Sequence, residues 1–189
     1  MTNIALVRVD DRLIHGQVVV KWLHHLGCKD ILIVDDELWG DNFMQSVLRL
    51  AAPPGVRVHV APTQGAREQL NRIVSQPQGV LVLVKSPPTA LALHRSGVEF
   101  SAVNVGGMAA GPNTTRLFKS VSATQEQITA LLDLQARGVR VYFQIIPEEH
   151  AVDIQELLHE RGPVPASTSV PASKETAAPA VLPERLART

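Results

Sequence analysis

A cluster of polar residues near the N-terminus is the part of the sequence best suited to chemistry. Asp10, Asp11, Arg12, His15 and Gly16 stand close together between an apolar run and an amphipathic stretch. A neutral imidazole, with an unperturbed pKa of about 6.5, is a nucleophile near neutral pH. A guanidinium binds phosphate oxygens through two parallel hydrogen bonds. The cluster favours phosphoryl transfer on His15, while a salt-bridged turn without a catalytic role is the alternative.

The positions around His15 predict how such a transfer would be supported. The helix predicted after it offers free backbone N–H groups to a phosphoryl group, and its dipole favours negative charge there. We expect Arg12 to bind the transferring group, and Asp10 or Asp11 to orient the arginine or fix the imidazole tautomer. Further phosphate-binding or cleft-lining candidates are Arg8, Gly16, Gln17, Asp35 and Ser86.

The pattern of apolar residues predicts the fold that carries this cluster. Short apolar runs, of the kind buried on both faces of a parallel sheet, occupy residues 4–9, 31–35, 56–60, 80–84, 102–105 and 139–145. Helices are predicted between or after them, over residues 15–26, 41–52, 63–75, 88–95, 124–137 and 148–160. The alternation predicts an α/β fold with an open, mainly parallel twisted sheet and helices on both faces. Residues 116–123 break the alternation and are predicted to form a short antiparallel edge strand.

Ligands of such sheets bind beyond the carboxyl ends of the strands, where His15, Asp35 and Ser86 are all expected. Asp35 and Asp36 with Lys85 also resemble a magnesium-dependent phospho-aspartate site. We disfavour that alternative because no third aspartate ends a suitable strand. Residues 104–107 are predicted to form a structural glycine turn, since their spacing fits no nucleotide-binding motif.

Composition limits the remaining functions. Lys plus Arg and Asp plus Glu are balanced at 18 each, which argues against nucleic-acid binding. No apolar run approaches the roughly 20 residues of a membrane-spanning helix. The single cysteine, Cys28, fits a cytoplasmic location. The histidine spacing fits no helical zinc site, so we expect neither a metal nor a cofactor.

The character of the sequence changes near Gly162. Residues 163–189 are rich in Pro, Ala, Ser and Thr and contain no aromatic residue. Such a composition buries too little apolar surface to fold by itself. We therefore predict one domain over residues 1–162 and a disordered Pro/Ala-rich tail over 163–189.

The motif DDRLIHGQV at residues 10–18, followed by Trp22, resembles the opening of a known family. That family is the IIB component of the mannose/fructose/sorbose type in the bacterial sugar phosphotransferase system. The resemblance continues, in order, through IVDD at 33–36, KSP at 85–87, NVGGM at 104–108 and KSV at 119–121. It spans nearly all of the predicted domain.

The resemblance implies a specific function. The family's histidine accepts a phosphoryl group from a phosphohistidine on the IIA protein and donates it to a sugar moved by the membrane components IIC and IID. By position, His15 is that histidine, and Arg12 and Asp10 are its charged neighbours. The protein would act in the cytoplasm at the inner face of the membrane, and an exposed edge strand would permit a homodimer. The alternative is a regulatory module of the same fold that senses phosphorylation without phosphorylating sugar.

Overall fold

A seven-stranded, mostly parallel sheet organises the protein in a computed structural model that describes residues 4–73 and 78–161. The strand order is β3-β2-β4-β1-β5-β8-β9, and only β9 runs antiparallel to its neighbour. This confirms the predicted α/β class. The strands of the large sheet are β1 (Ile4–Asp10), β2 (Asp30–Val34), β3 (Arg57–Ala61), β4 (Val80–Val84), β5 (Ala102–Gly107), β8 (Arg140–Phe143) and β9 (Val152–Asp153).

The predicted edge strand over residues 116–123 is instead a two-stranded antiparallel hairpin. It consists of β6 (Thr115–Phe118) and β7 (Val121–Ala123), which form a small sheet of their own. Lys119 has a left-handed φ of 29° and turns the chain between the two strands. The hairpin is held to the end of β5, because Ser122 N donates to the Met108 carbonyl at 2.9 Å.

Alternating side chains of β4 show how both faces of the sheet are covered. Val82 and Val84 face one apolar cluster, and Leu81 and Leu83 face the other. The first cluster contains residues from α4 (Ala66–Ile73), α5 (Pro87–Arg95), α6 (Gln125–Ala136) and α7 (Ile154–Arg161). The second contains residues from α1 (Gly16–Leu26), α2 (Asp36–Trp39) and α3 (Asn42–Ala51). The continuous apolar runs in the sequence are thus explained by burial on both sides.

Local capping signals mark several helix ends where the sequence predicted them. Thr124 and Gln127 form the expected capping box at the start of α6. Ser86 caps α5, and Gly27 ends α1 in a left-handed conformation with φ 69°.

Two parts of the helix prediction are wrong. The short helix α2 was not expected, and the helix predicted over 148–160 begins only at Ile154, because Val152 and Asp153 pair with β8 as a strand.

The tail predicted over 163–189 lies outside the described residues. Within residues 4–73 and 78–161, which the structure describes, no helix is long and apolar enough to cross a membrane.

The end of β1 is enclosed by two neighbouring strands, β4 and β5. Arg8 lies beside Asn104 and Asp10 lies beside Gly107 in the parallel register of β1 and β5. The loop that follows Asp10 therefore emerges at the carboxyl edge of the sheet, next to the end of β5, before α1 begins.

Candidate active site

The loop between β1 and α1 is shaped by two residues with left-handed backbone conformations. Leu13 has φ 54° and Gly16 has φ 45°. The Leu13 N–H donates to the Asp10 carbonyl at 3.0 Å and closes a tight turn. Leu13 and Ile14 are buried in the core, whereas the His15 side chain between them and the helix is 21% exposed. The loop is thus anchored by its apolar residues while the histidine reaches the surface.

The two ring nitrogens of His15 have different surroundings. Nδ1 lies 3.0 Å from the Leu13 carbonyl oxygen, which can only accept, so Nδ1 carries a proton in this hydrogen bond. Nε2 is buried, has no hydrogen-bond partner within residues 4–73 and 78–161, and lies 3.9 Å from the Asp10 Oδ2 atom. The hydrogen bond to the Leu13 carbonyl therefore sets the imidazole tautomer, whereas the sequence predicts that an aspartate sets it. In a protonated ring, Nε2 would point its proton toward the Asp10 carboxylate.

Asp10 is completely buried and surrounded by donors. Its Oδ2 accepts from Arg8 Nη2 at 2.8 Å, and its Oδ1 accepts from the backbone N and the Nε of Arg12, both at 3.3 Å. A buried carboxylate needs such partners to remain charged. The predicted contact between Asp10 and Arg12 is thus present, and the same carboxylate faces His15.

Arg8 lies beneath the loop, with only 1% of its side chain exposed. Its guanidinium donates to the Asn104 side-chain oxygen and to the Gln144 carbonyl, and it lies 5.4 Å from the centre of the Trp22 ring. Burial lowers the pKa of Arg8, and the nearby Asp10 carboxylate opposes that shift. The Arg8 donors are directed into the protein in this arrangement, and the expected contact between Arg8 and phosphate stays a prediction.

Two glycines of β5 make room for these arginines. A Cβ atom at Gly106 would lie 1.9 Å from the Arg8 guanidinium, and one at Gly107 would lie 2.8 Å from Arg12 Nη2. The two glycines belong to the strand, so the predicted glycine turn over 104–107 is wrong. The two glycines of the NVGGM motif are therefore needed because a side chain there would collide with Arg8 or Arg12, and the local sequence does not reveal this contact.

The start of α1 lies at the same place. His15 is the residue before the helix and makes no side-chain capping hydrogen bond, and the first turn has no acidic residue. The side chain of Arg12, which precedes His15 in the same loop, is 51% exposed. Gln17 belongs to this first turn, but its side chain lies outside the described part of the protein. A helix start that its own side chains leave uncapped suits a negatively charged group.

Asp35 and Ser86 have local partners of their own. Asp35 caps α2 by accepting from the Leu38 N–H at 2.8 Å, and its other oxygen pairs with Lys85 Nζ at 2.9 Å. The Ser86 hydroxyl lies 3.0 Å from that of Thr89 within α5. These contacts account for Asp35 and Lys85 without a phospho-aspartate site. The contacts described for Asp35 and Ser86 do not join them to the His15 loop.

The comparisons with known proteins agree on one class. The family described as "PTS system sorbose subfamily IIB component" matches residues 4–168. The sorbose-specific EIIB component of Klebsiella pneumoniae is 34% identical over 158 residues, which cover 84% of this chain and 96% of that protein. The mannose-specific EIIAB component of Escherichia coli strain K12 is 32% identical over 155 residues, 82% of this chain and 48% of that one.

Solved structures give the same result. The crystal structure of manxB from Thermoanaerobacter tengcongensis has a TM-score of 0.77 and 34% sequence identity, covering 85% of this chain and 97% of that chain. Fold and sequence together define a phosphotransferase component of a sugar transport system. The chain belongs to the sorbose subfamily of IIB components of that system. The regulatory alternative finds no support among these relatives.

Proposed function

We propose that His15 is the residue that carries the phosphoryl group. It accepts the group from a phosphohistidine on a IIA protein and passes it to a sugar that the membrane components IIC and IID transport. The observation that carries this proposal is the position of a partly exposed imidazole at the uncapped start of α1, next to the buried Asp10 carboxylate. The resemblance of residues 10–18 to the family's histidine loop supports it.

In the first transfer, a lone pair of the His15 imidazole forms a new N–P bond while the N–P bond of the donor breaks. In the second, a sugar hydroxyl replaces the imidazole on phosphorus, and the hydroxyl proton is released. Because Nδ1 donates to Leu13 and Nε2 is buried, the ring must turn about its side-chain bonds before it meets the donor. The partial exposure of the ring fits such a movement.

Arg12 and the start of α1 supply the stabilising charge. Arg12 has one donor on Asp10 and a half-exposed guanidinium whose outer donors suit the oxygens of a phosphoryl group. The helix dipole adds about 0.3–1 kcal/mol for a negative charge at its start. Gly16, left-handed and with open space around its Cβ position, leaves room for the donor.

Asp10 and Arg8 act as positioning residues in this proposal. The Asp10 carboxylate orients Arg12 through Nε and lies 3.9 Å from Nε2 of His15. Arg8 neutralises Asp10 from below and ties it to β5 through Asn104. Phosphoryl transfer depends mainly on positioning and charge stabilisation, and this network provides both.

The proposed partners follow from the same assignment. The mannose-specific EIIAB relative supports a IIA protein as the phosphoryl donor. The resemblance of residues 10–18 to the family's histidine loop is the basis for proposing IIC and IID membrane components and a sugar of the mannose, fructose or sorbose class. We place the protein in the cytoplasm at the inner face of the membrane. A homodimer would pair through β6, where Thr115 and Arg116 are exposed, and sedimentation of the purified protein tests this.

The test of the proposal is phosphoryl uptake by histidine variants. The protein is mixed with a phosphorylated IIA protein carrying ³²P, and the label on this chain is counted. His15→Ala is expected to take up no label, whereas His24→Ala, the same substitution at an exposed position within α1, keeps the wild-type level. Wild-type labelling of His15→Ala would refute the proposal.

A further inference from the structure

Exposed apolar side chains are concentrated on one part of the surface, at the end of α2 and along α3. Of the six large apolar side chains that are exposed among the described residues, five lie between positions 39 and 50. Phe43 is 75% exposed and Leu50 is 86% exposed. Single exposed apolar residues are common, whereas such a concentration marks an interaction site. We call this surface the α3 patch, and its residues are Trp39, Phe43, Met44, Val47 and Leu50.

The helix α3 has apolar residues on the side that faces away from the core. Its buried residues are Gln45 and Leu48, and Leu48 belongs to the second apolar cluster. Phe43, Val47 and Leu50 are separated by four and three positions, so they share one face of the helix. With 3.6 residues per turn, that face lies opposite to Gln45 and Leu48. Packing within one chain therefore does not account for it.

The size of the α3 patch matches the apolar part of a protein interface. Taking about 150–250 Å² for a large side chain, the exposed fractions of its five residues amount to roughly 500 Å². A standard interface buries about 800 Å² on each partner, and about 65% of that area is apolar in homodimers. The patch therefore supplies most of the apolar surface that a stable dimer of this chain needs.

The charges beside the α3 patch differ between its two ends. Glu37 and Asp41 are exposed just before α3, and Arg49 is exposed in its last turn. Arg49 Nη2 donates to the neutral Gln45 side chain at 3.0 Å, and this bond leaves the arginine charge available to a partner. When two such helices pack antiparallel about a two-fold axis, the acidic end of each lies beside the basic end of the other. The surface is thus complementary to itself.

We propose that the α3 patch binds a second copy of this chain, in a two-fold symmetric dimer with antiparallel α3 helices. Phe43 of one protomer packs against the partner's Leu50, and the two Val47 side chains meet near the axis. The acidic end of the patch disfavours an anionic membrane surface as the ligand. This pairing uses a surface other than the β6 edge, and it does not depend on phosphoryl transfer by His15.

The proposed dimer leaves both histidine loops open. The helix α3 leads from the carboxyl end of β2 to the amino end of β3, so it runs against the direction of these parallel strands. In an antiparallel pair of α3 helices, the carboxyl edges of the two sheets therefore point in opposite directions. Each His15 loop lies at such an edge and stays accessible to its own phosphoryl donor.

The test is sedimentation velocity of the full-length protein over a range of concentrations. We expect a monomer–dimer equilibrium with a Kd of about 10 µM or tighter. Leu50→Lys and Val47→Lys each place a charge in the interface and are expected to weaken dimerisation at least about tenfold. Circular dichroism checks that each variant is folded.

The matched control is Ala136→Lys, which adds the same charge at an exposed position of α6, on the other face of the sheet. This variant is expected to dimerise like the wild type. A wild-type protein that stays monomeric at ten times the expected Kd would overturn the proposal. A dimer that both Leu50→Lys and Val47→Lys leave unchanged would also overturn it, because the copies would then meet at another surface such as the β6 edge.

A charge exchange tests the antiparallel arrangement. Arg49→Glu places like charges beside each other across the interface and is expected to weaken dimerisation about two- to fivefold. Adding Glu37→Arg to that variant brings opposite charges together again and should regain most of the lost affinity. A double variant as weak as Arg49→Glu alone would contradict the antiparallel packing.

The Leu50→Lys variant also identifies other ligands of the α3 patch. A monomeric wild-type protein that sediments with phosphatidylglycerol vesicles, and does so less as Leu50→Lys, would assign the patch to a membrane. A monomeric wild-type protein that phosphorylated IIA labels more slowly as Leu50→Lys would assign it to the donor protein. Either result refutes the dimer.

Discussion

At the scale of single residues, the Asp10 carboxylate is the group to which the rest of the site is attached. It accepts from Arg8 below and from Arg12 above, and it faces the His15 ring. Because Asp10 is buried, removing one of its partners changes the charge balance around the histidine. The two arginines differ in kind, since Arg8 is enclosed and Arg12 is half-exposed.

Arg12→Gln should therefore affect the reaction more than the fold. The variant loses the exposed guanidinium, so we expect phosphoryl uptake from IIA to slow by about 10²-fold, as for the loss of one donor that stabilises a transition state. Its melting temperature should fall by no more than about 5 °C, because Arg8 and the backbone N–H at position 12 still donate to the buried Asp10 carboxylate. Rapid-quench labelling and thermal unfolding measure both quantities, and an unchanged rate would exclude Arg12 from the transfer.

Gly106→Ala should act through Arg8. The added Cβ would collide with the buried guanidinium, so we expect a loss of about 1–3 kcal/mol in the free energy of unfolding. Gly111→Ala is the matched control, because no atom of the described residues lies within 4 Å of its Cβ position and its φ is not left-handed. Urea unfolding of both variants checks this, and equal stabilities would contradict the steric role of Gly106.

At the scale of the elements, the pairing of β2 with β3 is reinforced by an ion cluster at Asp30. This buried carboxylate accepts from Arg57 Nε at 2.7 Å and lies 3.0 Å from His59 Nε2. The hydrogen bonds from Arg57 lower the pKa of Asp30, with His59 contributing and burial opposing. Its stabilisation is therefore present above the ordinary aspartate pKa of about 3.9 and is lost as the pH falls below it.

Asp30→Asn is expected to cost about 1.5–3 kcal/mol near pH 7, because charge-assisted hydrogen bonds are replaced by neutral ones. The difference between the variant and the wild type should shrink as the pH falls below about 4, since Asp30 of the unfolded wild-type chain then takes up a proton that the folded protein binds only at lower pH. Urea unfolding at pH 7, 5 and 3 measures the difference. A gap that widens on acidification would contradict the assigned pKa direction.

The elements also show what the sequence can and cannot predict. Capping residues such as Thr124 and Gly27 act on neighbouring residues, and the helix ends that they mark were predicted. The strand β9 is only two residues long and exists through its pairing with β8, so local patterns do not reveal it.

The candidate site likewise has features that the local sequence predicts and features that depend on residues far away in the chain. The place of His15 between a strand and a helix follows from the sequence, whereas the burial of Arg8 depends on Asn104 and Gln144, which lie 96 and 136 positions away. The phosphate contact expected of Arg8 stays a prediction, and the local sequence does not show that its guanidinium is enclosed by these distant residues.

At the scale of the whole molecule, one sheet with an apolar layer on each face carries the loop at its carboxyl edge. The last described helix, α7, ends at Arg161, and Ile154 at its start packs into the larger apolar cluster. We still predict that residues 1–162 form the folded unit, because the composition after it buries little apolar surface.

A chain ending at Gly162 tests this prediction. We expect its melting temperature to lie within about 2 °C of the full-length value, and its labelling by phosphorylated IIA to be unchanged, since the His15 network lies wholly within residues 8–144. A chain ending at Ala151 is the control: without α7 and β9 it should unfold at a lower temperature. Failure of the 162-residue chain to fold would contradict the domain boundary.

The most direct measurement of the central claim is the location of the phosphoryl group on the wild-type protein. After labelling by phosphorylated IIA, the chain is digested at alkaline pH and the labelled peptide is identified by tandem mass spectrometry. We predict that the phosphate is found on His15, stable in base and lost in acid, as expected of a phosphohistidine. Phosphate on another histidine, or a hydroxylamine-sensitive acyl phosphate on Asp35, would contradict it.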